Sequence, residues 1–223
     1  MVVFDVDGTL IGGEPTDWAS FNAAFLEVAG IPLNREFLMS LEEVTAQSVV
    51  HGALAGQPLE ERKAKEAAIS RRYLALLKAA FKADPGAFPA TEGAAELLLD
   101  LKARGIPVAI ATGDWRSSIL FKLEAAGIPF AGIPIMTASD HYSRADIIAG
   151  AVAAAGGTIR TALYVGDGLW DYRACKKLGI PFIGIGHRAE LLRGEGATHL
   201  LSSLMPEEFW RVRNAMGLPP WAH

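Results

Sequence analysis

The chain of 223 residues is long enough to bury a sizeable core, as one large domain or as one domain carrying an insertion. Hydrophobic residues make up 51% and charged residues 21%, which excludes a disordered or low-complexity protein. A formal net charge of −4 without a dense basic stripe argues against a nucleic-acid partner, and no apolar run approaches the ~20 residues that span a bilayer.

Residues 2–4, Val-Val-Phe, read as a short buried strand that ends at Asp5. No basic leader precedes it and Asp5 and Asp7 interrupt it, so it does not read as a signal peptide. Cys175 is the only cysteine, so no internal disulfide forms, and in its helical stretch it reads as a small buried hydrophobe. The cytoplasm is the expected compartment. From about Glu14 to Asp84 the pattern is helical only, with helices expected over 18–29, 36–45 and 59–82, punctuated by Pro32, Pro58 and the segment ADPGAFP. Trp18, Phe21 and Phe25 fall at helical spacing and read as the core of this block, with Trp18 early enough to overhang a site. The run Glu60-Glu61-Arg62-Lys63 with Lys65-Glu66 mixes signs and reads as a solvated helix face.

Beyond residue 84, strands and helices alternate. Apolar runs at 107–111, 133–136, 163–165 and 182–185 read as buried strands. Ala94, Leu97, Leu98 and Leu101 line a helix that stops at Gly105, and Ile119, Leu120 and Leu123 line a second that stops at Gly127. Ser143 and Asp146 open a third helix running to about Ala155, and a fourth spans 169–178 and ends at Gly179. Strands too apolar for a wet face, separated by helices, imply an α/β protein with a parallel sheet covered on both sides. The expected organisation is a core of residues 1–13 and 84–223, with residues 14–83 inserted as an all-helical cap domain.

In such sheets ligands bind beyond the carboxyl ends of the strands. Four exits carry chemistry there: Asp5-Val6-Asp7-Gly8-Thr9, then Thr112-Gly113-Asp114, then Ser143-Arg144, then Gly166-Asp167-Gly168 with Asp171 one turn later. Several carboxylates, a hydroxyl and a guanidinium at one edge are what phosphoryl transfer through an aspartyl intermediate needs. A hard cation such as Mg²⁺ neutralises the repulsion between carboxylate and phosphate and explains the crowding of acids. Asp5 would attack, and Asp7 would protonate the leaving alkoxide and then take a proton from water. Thr112, the Gly113 amide and Arg144 would hold the phosphoryl oxygens. An EF-hand reading fails, because residue 5 leaves no room for an incoming helix. Asp171 is either a favourable first-turn acid or support for a metal, and Asp114 reads as a helix cap. His51 and His141 read as structural groups.

These motifs resemble the haloacid dehalogenase superfamily, in its phosphoglycolate phosphatase-like and β-phosphoglucomutase-like branch with a helical cap. DVDGT is similar to the first motif, Thr112-Gly113 to the second, Arg144 to the third basic position and GDGLWD to the fourth. The resemblance implies a Rossmann-like core and Mg²⁺ bound by Asp5, the Asp7 carbonyl and Asp167, with Asp171 supporting that shell. It departs from the family pattern at the third motif, usually lysine, since no lysine lies between Lys122 and Lys176. A carboxylate at Asp7 implies an oxygen leaving group, hence a phosphatase acting on a small phosphorylated metabolite. The alternatives are a β-phosphoglucomutase-like mutase and a non-catalytic phosphate-ligand binding protein.

Overall fold

The computed structural model describes residues 1–221. One sheet of six parallel strands organises it: β1 Val2–Phe4, β2 Val108–Ala111, β3 Ile135–Met136, β4 Leu163–Gly166, β5 Phe182–Ile185 and β6 Leu200–Leu201, in the order β3-β2-β1-β4-β5-β6. Between β1 and β2 are inserted α1 Glu14–Ala29, α2 Arg35–Ser40, α3 Ala46–Ala53 and α4 Leu59–Ala83, followed by α5 Ala94–Ala103. The remaining helices are α6 Arg116–Ala125, α7 Arg144–Ala154, α8 Leu169–Leu178, α9 Ala189–Gly194 and α10 Pro206–Ala215.

The two-residue period of a strand divides the core in two. Val2 and Phe4 join Ile110, Val165 and Ile183 on one face, packed against α5, α6, α10 and the inserted helices. Val3 joins Ala109 and Tyr164 on the other, packed against α7 and α8. Burial on both faces explains why β1, β4 and β5 carry almost no polar side chains.

Phe4 pairs with Ile110 on one side and Val165 on the other. That register carries Asp5, Thr112 and Asp167, each just past a strand end, to one edge of the sheet.

Several expected elements differ. The helix expected over 36–45 is instead α2, ending at Ser40, and a separate α3 begins at Ala46. Thr45 is extended and caps α3 reciprocally with Ser48, a capping box with serine in place of the usual Glu or Gln. The strand expected over 133–136 is only Ile135–Met136. Leu120, expected on a buried helix face, is exposed, and Lys122 occupies that face with no exposure at all. Elements β6, α9 and α10 add to the expected set; β6 and α9, a two-residue strand and a six-residue helix, carry too little periodicity to read, and α10 spans ten residues. Glu60, Glu61 and Lys63 are solvated as expected, whereas Glu66 turns inward to His51 Nε2 at 2.9 Å and Trp115 Nε1 at 3.2 Å.

Candidate active site

Asp5 continues β1 by one residue, its amide donating to the Val165 carbonyl at 3.0 Å. The turn that follows requires Gly8. Its φ is 80°, and a Cβ there would lie 2.3 Å from Asp167 Oδ2. Only glycine lets the β1 exit lie against the β4 exit. Asp167 precedes α8, and Asp171 sits in the first turn of that helix, where a carboxylate is favoured by the dipole. Asp5, Asp167 and Asp171 are all buried, and each offers an oxygen within 4.8 Å of the other two.

Arg144, the first residue of α7, brings a cation into this cluster. Its Nη1 lies 2.9 Å from Asp171 Oδ1 and 3.7 Å from Asp5 Oδ1. Among the described residues neither Nη1 nor Nε has an aligned acceptor, so both are buried donors without a hydrogen bond there. Asp171 Oδ1 accepts from the Tyr164 hydroxyl at 2.9 Å, and the same hydroxyl lies 3.0 Å from the Ala111 carbonyl. Thr112 is buried beside them, its Oγ1 accepting from the Asp114 amide at 3.4 Å.

The inserted helices close over this edge through the segment between α2 and α3. Glu43 Oε2 accepts from the Arg144 amide at 2.7 Å, the Val44 carbonyl accepts from Arg144 Nη2 at 3.3 Å, and the Gly113 carbonyl accepts from the Ala46 amide at 2.7 Å. A Cβ at Gly113 would lie 2.8 Å from Arg144 Nη2 and 3.0 Å from the Val44 carbonyl. Glycine at this exit is a packing requirement.

Asp7 points into a second acidic cluster. Lys122 Nζ lies 2.7 Å from both Asp7 oxygens, 2.7 Å from Asp17 Oδ1 and 2.9 Å from Asp114 Oδ2. The Tyr73 hydroxyl lies 3.3 Å from Nζ and donates to Asp17. Asp17 and Tyr73 belong to α1 and α4, whereas Asp7, Asp114 and Lys122 belong to the sheet side, so this knot also ties the inserted helices down. Asp114, read as a helix cap, does accept from the Trp115 amide at 2.6 Å, but its second oxygen serves Lys122, and the N-cap residue of α6 is Trp115. Arg188 makes a further tie, from Asp167 Oδ2 at 3.0 Å to Glu14 Oε1 at 2.7 Å.

Of the predicted residues, the structure brings Asp5, Arg144, Asp167 and Asp171 into one cluster beside Thr112 and Gly113, and sets the Asp7 carboxylate in the other. Sequence reading passed over Lys122, Asp17, Tyr164, Glu14 and Arg188. Lys122 alone left a signal: with Ile119 and Leu123 it completes an i, i+3, i+4 stripe, and a lysine on an apolar stripe needs carboxylates to meet it.

Burial pushes Asp5 well above the usual carboxylate range, helped by Asp171 and resisted by Arg144. Burial likewise pushes Asp167 up to about 8, with Arg188 pulling the other way and Asp171 adding to the rise. Asp7 is pushed up to about 7, again by burial first, against the downward pull of Lys122. Burial pulls Lys122 down, but the three carboxylates outweigh it and hold the ammonium well above its ordinary value.

The first cluster fits a hard divalent cation. Its three carboxylates converge, and Asp171 Oδ2 is buried with no hydrogen-bond partner among the described residues, an orphan that a cation would satisfy. The second cluster converges equally, but the Lys122 ammonium already serves all three of its acids.

Residues 2–185 match the haloacid dehalogenase-like hydrolase family. A phosphoglycolate phosphatase of Caulobacter vibrioides is 26% identical over 92% of this chain and 87% of its own, and one of Agrobacterium fabrum is 26% identical over 83% and 79%. Among solved structures, CbbY from Rhodobacter sphaeroides in complex with phosphate superposes with a TM-score of 0.72 at 24% identity, over 92% of this chain and 94% of that one. The β-phosphoglucomutase of Clostridium difficile gives 0.76 at 16% identity, over 97% and 96%; these two likenesses speak for the fold. The match spans β1 to β5 and takes in every strand exit described above, and the chain belongs to the haloacid dehalogenase-like hydrolase family.

Proposed function

We propose that the chain is a Mg²⁺-dependent phosphatase that hydrolyses a small-molecule phosphomonoester through an aspartyl phosphate on Asp5, and that it works in the cytoplasm. The observation that carries this reading is the convergence of Asp5, Asp167, Asp171 and Arg144 at the carboxyl edge of the sheet, with an orphaned carboxylate oxygen and orphaned guanidinium donors in the same cluster. The names of the relatives, phosphoglycolate phosphatases, favour a small phosphorylated metabolite.

Asp5, the Asp7 carbonyl and Asp167 would hold Mg²⁺, with Asp171 in support. When bound, the cation offsets the repulsion between a carboxylate and a phosphate dianion. The side chains do the rest. Asp5 forms an oxygen–phosphorus bond as the ester oxygen leaves with its electron pair, and Asp7 gives that oxygen a proton. Asp7 then takes a proton from a water molecule, whose oxygen bonds to phosphorus while the Asp5 oxygen leaves. Arg144 Nε and Nη1, with Thr112 and Gly113, hold the equatorial oxygens, where charge accumulates in the transition state. Residues 14–83 act as a cap that excludes bulk water, over a core of 1–13 and 84–223.

Release of p-nitrophenol from p-nitrophenyl phosphate, with Mg²⁺ and with EDTA, tests the reading in wild type and in Asp5→Asn. Release that requires Mg²⁺ and vanishes in the variant is expected. Asp5→Asn indistinguishable from wild type overturns it.

A further inference from the structure

We infer that the ester this site serves carries an uncharged, apolar leaving group, aromatic or branched, in preference to a carboxylate or a sugar; the inference rests on the phosphatase reading above. The cavity at the strand exits measures about 810 Å³, room for a phosphate and an organic moiety of moderate size. Away from the acids, its wall is mostly apolar and includes Trp18, Phe21, Leu38, Met39, Val49 and Leu191. Trp18 and Phe21 stack with ring centroids 6.5 Å apart at 26°, and Phe21 is backed by Tyr73 at 5.5 Å and Trp115 at 5.7 Å. Together these rings form an aromatic floor.

Charge points the same way. Among the described residues, seven carboxylates line the cavity against two arginines and one histidine. Each of those cations already faces acids: Arg144, whose unpartnered donors are assigned above to the phosphoryl group, faces Asp171 and Asp5, Arg188 faces Asp167 and Glu14, and His187 faces Glu14 at 3.0 Å. Lys122, the deepest cation nearby, has no exposed surface and is taken by three acids. A carboxylate on the leaving group would therefore sit among acids and meet no cation that an acid does not already face. A sugar fares no better. The Thr45 hydroxyl is bonded to Ser48 and the Tyr142 carbonyl and the Tyr73 hydroxyl to Asp17, and the unpartnered Trp170 Nε1 offers only a single donor, so most of a row of sugar hydroxyls would lose water against an apolar wall without replacement partners.

The test compares kcat/KM for benzyl phosphate, 2-phosphoglycolate and glucose 6-phosphate at saturating Mg²⁺. All three are esters of primary alcohols, so the wall rather than leaving-group reactivity decides. Benzyl phosphate is expected to lead both by about tenfold or more. Acetyl phosphate, with almost nothing for the wall to recognise, reports phosphoryl transfer by itself. Its turnover alongside phosphoglycolate or glucose 6-phosphate equal to or better than benzyl phosphate overturns the preference and leaves the phosphatase standing. No turnover of any of the four overturns the phosphatase, and the preference with it. In Trp18→Leu the KM for benzyl phosphate should rise while that for phosphoglycolate stays put; an unchanged KM for benzyl phosphate also overturns the preference.

Discussion

Two acidic clusters lie on either side of the first strand's exit, built from the same chemistry and finished differently. Asp7, Asp17 and Asp114 surround a lysine ammonium that the chain supplies itself. Asp5 and Asp171 share the edge of the Arg144 guanidinium and Asp167 takes the tip of Arg188, yet among the described residues an oxygen of Asp171 is left with no hydrogen-bond partner. Burying carboxylates is expensive unless each finds a counter-charge. The tethered cation solves that problem once and for all, and fastens the inserted helices to the sheet. The incomplete cluster leaves it to be solved by something that arrives from solution. Permanence suits architecture, and incompleteness suits a site that must bind.

The largest effect expected from this contrast follows loss of the tethered ammonium. Lys122→Met leaves three acids facing one another; because Asp7 and Asp17 keep about a quarter of their exposure, the loss belongs at the lower end of the ~3–5 kcal/mol range for breaking a buried pair. Urea unfolding measures it, and pairing the change with Asp17→Asn should recover part. An unchanged midpoint would mean the knot is ornamental. Arg144→Ala, on the other side, should cost some stability by stripping Asp171 of a counter-charge, and in the folded protein should lower kcat by about 10²–10³-fold, the typical cost of removing one transition-state donor. Steady-state kinetics at saturating Mg²⁺ read this, and kcat within threefold of wild type would remove Arg144 from the chemistry. Smaller still is Tyr164→Phe, which takes one hydroxyl from Asp171 and the Ala111 carbonyl. About 1 kcal/mol of stability should go with it, since buried acceptors lose a donor.

The contrast also marks how far the sequence could be read. Strand exits are legible because a parallel sheet forces them to one edge, so Asp5, Thr112 and Asp167 declare themselves as neighbours across more than 150 residues. The knot around Lys122 was not legible, because its members come from the loop after β1, two inserted helices, and both ends of α6. Asp17 passes for an ordinary first-turn acid of α1, and Tyr73 for core. What joins them is the tertiary packing of the inserted helices, which local pattern does not encode. The split of the expected helix over 36–45 has a similar cause: Thr45 and Ser48 cap through hydroxyls, and a hydroxyl pair is a fainter signal than the Glu or Gln of the usual capping box.

Calorimetric titration of Mg²⁺ into the wild type, Asp167→Asn and Asp17→Asn, with each fold checked by circular dichroism, tests the contrast most directly. A single site is expected in the wild type, abolished in Asp167→Asn and retained in Asp17→Asn. Binding that survives Asp167→Asn but disappears with Asp17→Asn would place the ion in the wrong cluster and contradict the account.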